Sequence, residues 1–296
     1  MENSGKYLVA NLQKAGVKIL LLFIVFFAAC STPTVSSDDS DEKSASSEKA
    51  KQADELSSSG MSSGDESSLP SAATTAIPCK TETEDNCEYG ELIDERDGKK
   101  YKTVKIGYRW WMAENLNYAD SVKTPSLLNS SWCFNNEPDS CSKYGRLYTW
   151  AAAIDSAKLY REKSIVCGNG ETCSLPDTVY GICPSGWHLP TDGEWNILFD
   201  EIGGEGNAGK VLKSQTGWYE DGNGTDGVGF SALPAGDRWE SDGNHFDGDG
   251  AVARFWSDTP RSGYNAYYVS MVFGADSVYM SDRYKEYGFS VRCLRD

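Results

Sequence analysis

The stretch CPSGWHLPTDGEW, residues 183–195, decides how this chain is read. Its second half is a helix start. Thr191 and Glu194 stand in the T-x-x-E spacing of a capping box, in which the Thr hydroxyl accepts the amide of the third helical residue and the Glu carboxylate reaches back to the Thr amide. Asp192 adds negative charge at the positive end of the helix dipole. Trp195, Leu198, Phe199 and Ile202 then fall on one face, and Gly203 with Gly204 supplies a left-handed stop. The spacing predicts an amphipathic helix of about eleven residues.

The partner of this stretch is YGFSVRCLRD, residues 287–296. Phe289, Val291 and Cys293 alternate with Ser290 and Arg292, which predicts a strand with Cys293 on the inward face. Between the two stretches the chain has strand-like runs (RFWSD, YNAYYVSMVF, DSVYM) and, before them, a region from 214 to 250 dense in Gly, Asp and Asn. That density means turns, and long structured loops in compact domains are often functional. Nearer the N-terminus, YKTVKIG (101–107) and RWWMAENLNY (109–118) read as strands, and KYGRLYTWAAAIDSAKLY (143–160) carries apolar residues near helical spacing. Trp110, Trp111, Trp150, Trp187, Trp195 and Trp256 are expected in the core.

Residues 1–30 hold three lysines, an apolar run from 19 to 27, then Ala28, Ala29 and Cys30. That run is too short for a membrane span, which needs about 20 apolar residues, and reads as an export signal. Small residues before a cysteine resemble a bacterial lipobox, with Phe27 in place of the usual Leu, so Cys30 is expected to carry lipid. Ser31 stands where an Asp would favour inner-membrane retention, so the expected location is the outer membrane or cell surface. Residues 31–78 are rich in Ser, Asp, Glu and Lys and lack aromatic residues, a composition that cannot offset its ordering entropy. They form a tether, and 79–296 is the folded domain.

Of the formal net charge of -16, about -12 falls on that domain. Neutralising phosphates needs the opposite sign, so nucleic acid is excluded as a partner. With Cys30 set aside, eight of the nine cysteines remain in an exported chain, where disulfides are the default. Three pairs are close in sequence (Cys79–Cys87, Cys133–Cys141, Cys167–Cys173), which leaves Cys183 with Cys293. Eight cysteines allow 105 connectivities, so this is a preference among them. Zinc is the rival reading, but no pair has C-x2-C spacing, and His188 and His245 are far apart.

Taken together, DERDGKKYKTVKIG, WWMAENLNY, CSKYGRLYTWAAA, CPSGWHLPTDGEW, GFSALPAG, FWSDT and GFSVRCLRD, in that order, resemble the Fibrobacter succinogenes major paralogous domain from about Asp94 to Asp296. That family is in turn similar to the formylglycine-generating-enzyme and C-type lectin-like folds. The resemblance implies an α+β, disulfide-stapled, C-type lectin-like domain with two helices, a twisted antiparallel sheet and long loops. The copper-binding cysteine pair of the formylglycine-generating relatives is missing, since Cys293 is the sole cysteine in the last hundred residues. Their activity does not carry over.

The expected function is binding or adhesion at the cell surface, with polysaccharide as partner. Trp218, Tyr219, Trp239, Asp221, Asn223 and Asp226 lie in the glycine-rich region, where aromatic faces stack on sugar rings and carboxylates and amides take hydroxyl groups. Asp242, Asn244, Asp247 and Asp249 offer hard oxygen ligands at alternating positions, which makes calcium the natural companion ion, although neither acidic run completes an EF-hand and Asx-turns account for these acids equally well. No other cofactor is expected. The alternatives are a structural surface protein without a small ligand and a divergent enzyme; His188, between Trp187 and Leu189, reads as structural, and no carboxylate pair stands out for catalysis.

Overall fold

A computed structural model describes residues 78–239 and 245–296. The architecture is α+β, with three sheets. The first begins as an antiparallel meander of β1 (Tyr89–Ile93), β2 (Lys100–Ile106) and β3 (Arg109–Met112). Beyond β3 the next strands come from the other end of the domain, in the order β1-β2-β3-β12-β6, with β6 at Trp187–His188 and β12 at Leu294–Arg295. Leu294 pairs with Trp111 on one side and His188 on the other. The two sequence stretches that decided the reading are therefore adjacent strands. The Cys183–Cys293 disulfide joins them, and Cys79–Cys87, Cys133–Cys141 and Cys167–Cys173 complete four bridges.

Two short strands, β4 (Ser131–Trp132) and β5 (Leu147–Tyr148), pair with each other. The third sheet has the order β11-β10-β9-β7-β8, made of β7 (Ala235–Trp239), β8 (His245–Asp249), β9 (Val252–Pro260), β10 (Asn265–Val272) and β11 (Val278–Tyr284). Its pairs are antiparallel except β7 with β9, so this sheet is mixed where the sequence implied antiparallel.

The helix predicted after Thr191 forms as α4 (Asp192–Glu201), in chain order the fourth. Both halves of the capping box are present: Thr191 Oγ1 accepts the Glu194 amide at 3.0 Å and Glu194 Oε2 accepts the Thr191 amide at 3.0 Å. Gly203 and Gly204 then take φ of 103° and 87°. A further helix, α5 (Glu205–Leu212), starts directly from that turn.

Residues 143–160 do not form the single helix that their apolar spacing predicts. Gly145 ends α1 (Pro138–Tyr144) at φ 73°, β5 intervenes, and Thr149 caps a one-turn α2 (Trp150–Ala153). Asp155, left-handed at φ 49°, then caps α3 (Ser156–Lys163). Each break has a local cause. Asp155 accepts the Lys158 amide and the Ser126 hydroxyl, so its carboxylate satisfies a new helix start better than the interior of an old one. The two helices implied by the resemblance become five among the described residues.

Apolar residues gather in two clusters. One stacks Trp195 against Trp111 at 4.9 Å and Phe255 at 5.8 Å, joining α4 to the first and third sheets. The other sets Trp256 4.4 Å from Phe289, with Trp150 and Tyr148 buried beside it. Of the six tryptophans expected inside, all but the half-buried Trp110 are buried.

The segment 289–293 forms isolated bridges, Phe289 with Tyr148 and Ser290 with Phe255, and not the strand that its alternation predicts, and its polar residues are inside as well. Ser290 and Arg292 are buried along with Phe289, Val291 and Cys293. Arg292 donates to Asn115 Oδ1 at 2.8 Å and to the carbonyls of Ser231, Met112 and Phe230, and its guanidinium lies 4.3 Å over the Phe230 ring. Such a set of acceptors is what lets a guanidinium be buried. Burial pulls its pKa down to about 9.

Candidate functional site

The glycine-rich region divides into a buried part and an exposed part. Trp218 belongs to the first, which corrects its assignment to ligand. It is 5% exposed, and its Nε1 donates to Ser214 Oγ at 3.1 Å and to the Ala232 carbonyl at 3.2 Å. Its ring lies 5.2 Å from the ammonium of Lys213, which is itself buried and donates to the carbonyls of Val272, Phe273 and Ala275. The indole covers a buried cation; no face is left for a sugar.

Asp226 is corrected in the same way. It is 1% exposed and accepts from Lys80 Nζ at 2.6 Å, from the Ser231 amide at 2.6 Å and from the Ser231 hydroxyl at 2.7 Å. With the Cys79 amide bonded to the Gly227 carbonyl at 2.8 Å, this carboxylate fastens the N-terminal disulfide loop to the domain. Asn223 is exposed, but its Oδ1 accepts the Trp218 amide at 3.1 Å and closes the turn.

Tyr219 and Asp221 remain exposed. Tyr219 donates its amide to the Gly250 carbonyl at 2.7 Å, and its ring lies on Gly250 so closely that a Cβ there would meet Cε1 at 2.3 Å. Gly250, at φ 76°, is thus required twice, by backbone and by contact. The ring rests on backbone with its other face toward solvent.

The exposed part is completed by the β7–β8 hairpin. Residues two apart on a strand share a face, so Trp239 lies with Asp237, and His245 with Asp247 and Asp249. The register pairs Trp239 with His245 and Asp237 with Asp247, which puts all five on one side. Trp239 is half-buried with its ring 4.4 Å from His245, Asp247 is exposed, and Asp249 is half-buried. From His245 to Asp249 the row spans about 13 Å at the usual rise per residue. Asp237 is buried beneath it and pairs with Arg254. The opposite side packs inward, where Phe246 meets Phe134 at 5.5 Å.

Asp242 and Asn244 lie outside the described residues. Asp247 already accepts the Gly248 amide at 2.8 Å, and no group of three or more His, Cys, Asp or Glu that could hold a metal occurs among the described residues. Calcium takes 6–8 oxygens, so the carboxylates described do not by themselves fit the ion.

His188, read as structural, is held on both sides. Nδ1 meets Asp296 Oδ1 at 2.7 Å, Nε2 meets both Glu194 oxygens at 3.3 Å, and Arg109 donates to Glu194 at 2.7 Å. Burial pulls its pKa down, but the two carboxylates outweigh it and raise it. Burial would raise Glu194, yet the hydrogen bonds from His188, Thr191 and Arg109 hold its carboxyl at about 2. On neighbouring Asp258 burial wins, with the Glu194 and Asp192 charges adding to it, and the carboxyl is pushed up to about 7.

A cleft of about 790 Å³ opens elsewhere, between the β1–β2 turn, α3 and the loop before β6. Arg96, Lys123, Lys158 and Arg161 line it together with Tyr118 and Tyr180. These residues come from segments far apart in sequence, and only the i, i+3 spacing of Lys158 and Arg161 could have hinted at a common face.

The model of the Fibrobacter succinogenes major domain matches residues 104–295, about two thirds of the chain. This chain belongs to that family. No curated protein and no solved structure matches it. The match takes in the glycine-rich region, the hairpin, β6 and β12, whereas β1, the turn that carries Arg96 and the Cys79–Cys87 loop precede it.

Proposed function

We propose that this member of the family is a surface-anchored lipoprotein whose folded part, of C-type lectin-like architecture, binds polysaccharide and catalyses no reaction. One observation carries the reading: the outward face of the β7–β8 hairpin sets a half-buried indole beside His245 and continues into the carboxylates of Asp247 and Asp249. A flat apolar surface for a sugar ring followed by acceptors for its hydroxyls is the chemistry of carbohydrate recognition. Tyr219, its ring lying on Gly250, supplies a second surface of the same kind. The titratable groups with the most displaced pKa values on α4 and its neighbours, Glu194 and Asp258, do fold work: one closes the capping box and the other accepts the Thr259 hydroxyl at 3.0 Å. The lipid anchor rests on Cys30 and the residues before it.

Retention of the protein on insoluble polysaccharides, with and without chelator, tests this reading. Binding is expected to survive chelation, and Trp239→Ala and Tyr219→Ala are each expected to weaken it at least fivefold while leaving the melting temperature within a few degrees. Absence of retention on every polysaccharide tried refutes the proposal.

A further inference from the structure

We propose that the cleft bordered by α3 and the β1–β2 turn is a subsite for the carboxylate of an acidic sugar, so that the polysaccharide bound is uronate-bearing. The inference rests on the polysaccharide reading for its ligand class and on the cleft for the charge. At about 790 Å³ the cleft lies within the size range of ligand sites.

The charges in the cleft balance by count and not by availability. Among its acids, Asp94 is 0% exposed and gripped by the Arg96 guanidinium at 2.6 and 2.8 Å. Asp155 is 7% exposed and committed to the Ser126 hydroxyl at 2.7 Å, and Asp296 is committed to His188. Glu95 alone is unengaged among the described residues. Among the bases, Lys158 has no ion pair with any described residue, and Arg161 meets only its neighbour Glu162, at 3.6 Å. Lys158 and Arg161 share one side of α3, and Lys123 adds a third cation across the cleft, paired with Asp120 at 3.4 Å and donating to the Arg96 carbonyl at 3.0 Å.

A cationic concavity on a protein of net charge -16 runs against the field of the whole molecule. An anion is drawn there and to few other places. Independently, the cleft wall holds an unexplained polar group: Tyr118 is 0% exposed, its hydroxyl has no partner among the described residues, and Arg96 lies 3.9 Å over its ring. Tyr180, half-exposed at the rim, offers a ring face for the sugar that carries the carboxylate.

The test uses the full chain in detergent and compares polygalacturonate with a neutral polysaccharide such as xyloglucan, with galacturonic acid and inorganic phosphate as soluble competitors. Polygalacturonate is expected to bind more tightly than the neutral polymer and to lose at least tenfold in affinity between 50 and 500 mM salt. The double variant K158E/R161E, and the milder K158Q/R161Q should the first fold poorly, is expected to lower polygalacturonate affinity at least tenfold and leave neutral binding unchanged. Neutral binding without any preference for the acidic polymer, or acidic binding indifferent to both double variants, overturns this inference and leaves the polysaccharide reading standing. Failure to bind either polymer overturns both. Competition by phosphate as strong as by galacturonic acid overturns the acidic sugar as the ligand.

Discussion

Removing the Cys183–Cys293 bridge should cost more stability than removing any other, by an amount that the chain itself sets. The bridge closes a loop with a sequence separation of 110, against 8 for Cys79–Cys87. In the chain-entropy account a loop of this size contributes about 4.8 kcal/mol at 25 °C and the short one about 2.5 kcal/mol. The absolute values depend on a constant that measurements dispute; their difference, about 2.3 kcal/mol, depends only on the ratio of loop lengths. Packing pushes the same way, since Cys183 and Cys293 are buried and Cys79 and Cys87 only half so, and cavities add to the loss. The comparison is between the double variants Cys183→Ala/Cys293→Ala and Cys79→Ala/Cys87→Ala in urea unfolding followed by tryptophan fluorescence. At a urea slope of about 2 kcal/mol per molar, the midpoints of the two variants should lie about 1 M apart. Equal midpoints, or the N-terminal variant unfolding first, refute the reasoning.

Trp218→Ala should destabilise by about 3–5 kcal/mol, as for a large core aromatic, whereas Tyr219→Ala, one residue on, should stay under about 1 kcal/mol; thermal melts of both separate core from surface directly. Stability should peak at about pH 4. Glu194, held at about 2 when folded, stabilises above its ordinary 4.5 and loses that contribution as the pH falls toward 2. Asp258, at about 7 when folded against an ordinary 3.8, holds its proton more tightly in the folded state, so its contribution is full below 3.8 and is lost between about pH 4 and 7, whereas His188, also raised, loses its contribution as the pH rises above its ordinary 6.5. Asp258→Asn should therefore flatten the fall between about pH 4 and 7, and melting curves from pH 3 to 9 that keep that slope in the variant rule out Asp258 as its source. Cys30→Ser should move the protein from the membrane to the soluble fraction on cell fractionation, and retention in the membrane counts against the anchor.

Local devices were legible in the sequence. The capping box at Thr191 needs only its own four residues, and the pairing of Cys183 with Cys293 followed once the near neighbours were matched. Elsewhere the pattern misled because a contact from far away decides the outcome. Trp218 has the neighbours of a loop residue, but its place is set by Lys213, Ser214 and Ala232. Apolar spacing over 143–160 looked continuous, and Gly145, Thr149 and Asp155 break it through backbone angles and caps that periodicity does not register. Arg292 alternates correctly for an outward residue, yet acceptors from two other segments, 112–115 and 230–231, bring it inside. The cleft was invisible for the same reason: Arg96, Lys123 and Lys158 become neighbours only after folding.

The position of β12 has a kinetic consequence. Its pairing partner β3 lies some 180 residues earlier, so the sheet stays split into a meander and an isolated β6 until Leu294 arrives between them. Contacts of such long range form slowly, because the intervening chain must first give up its freedom. A nascent chain short of this strand holds neither the sheet nor the bridge at Cys293, and a protease or a secretion channel meets it still open. The proposed export route would find in that delay a chain it can thread.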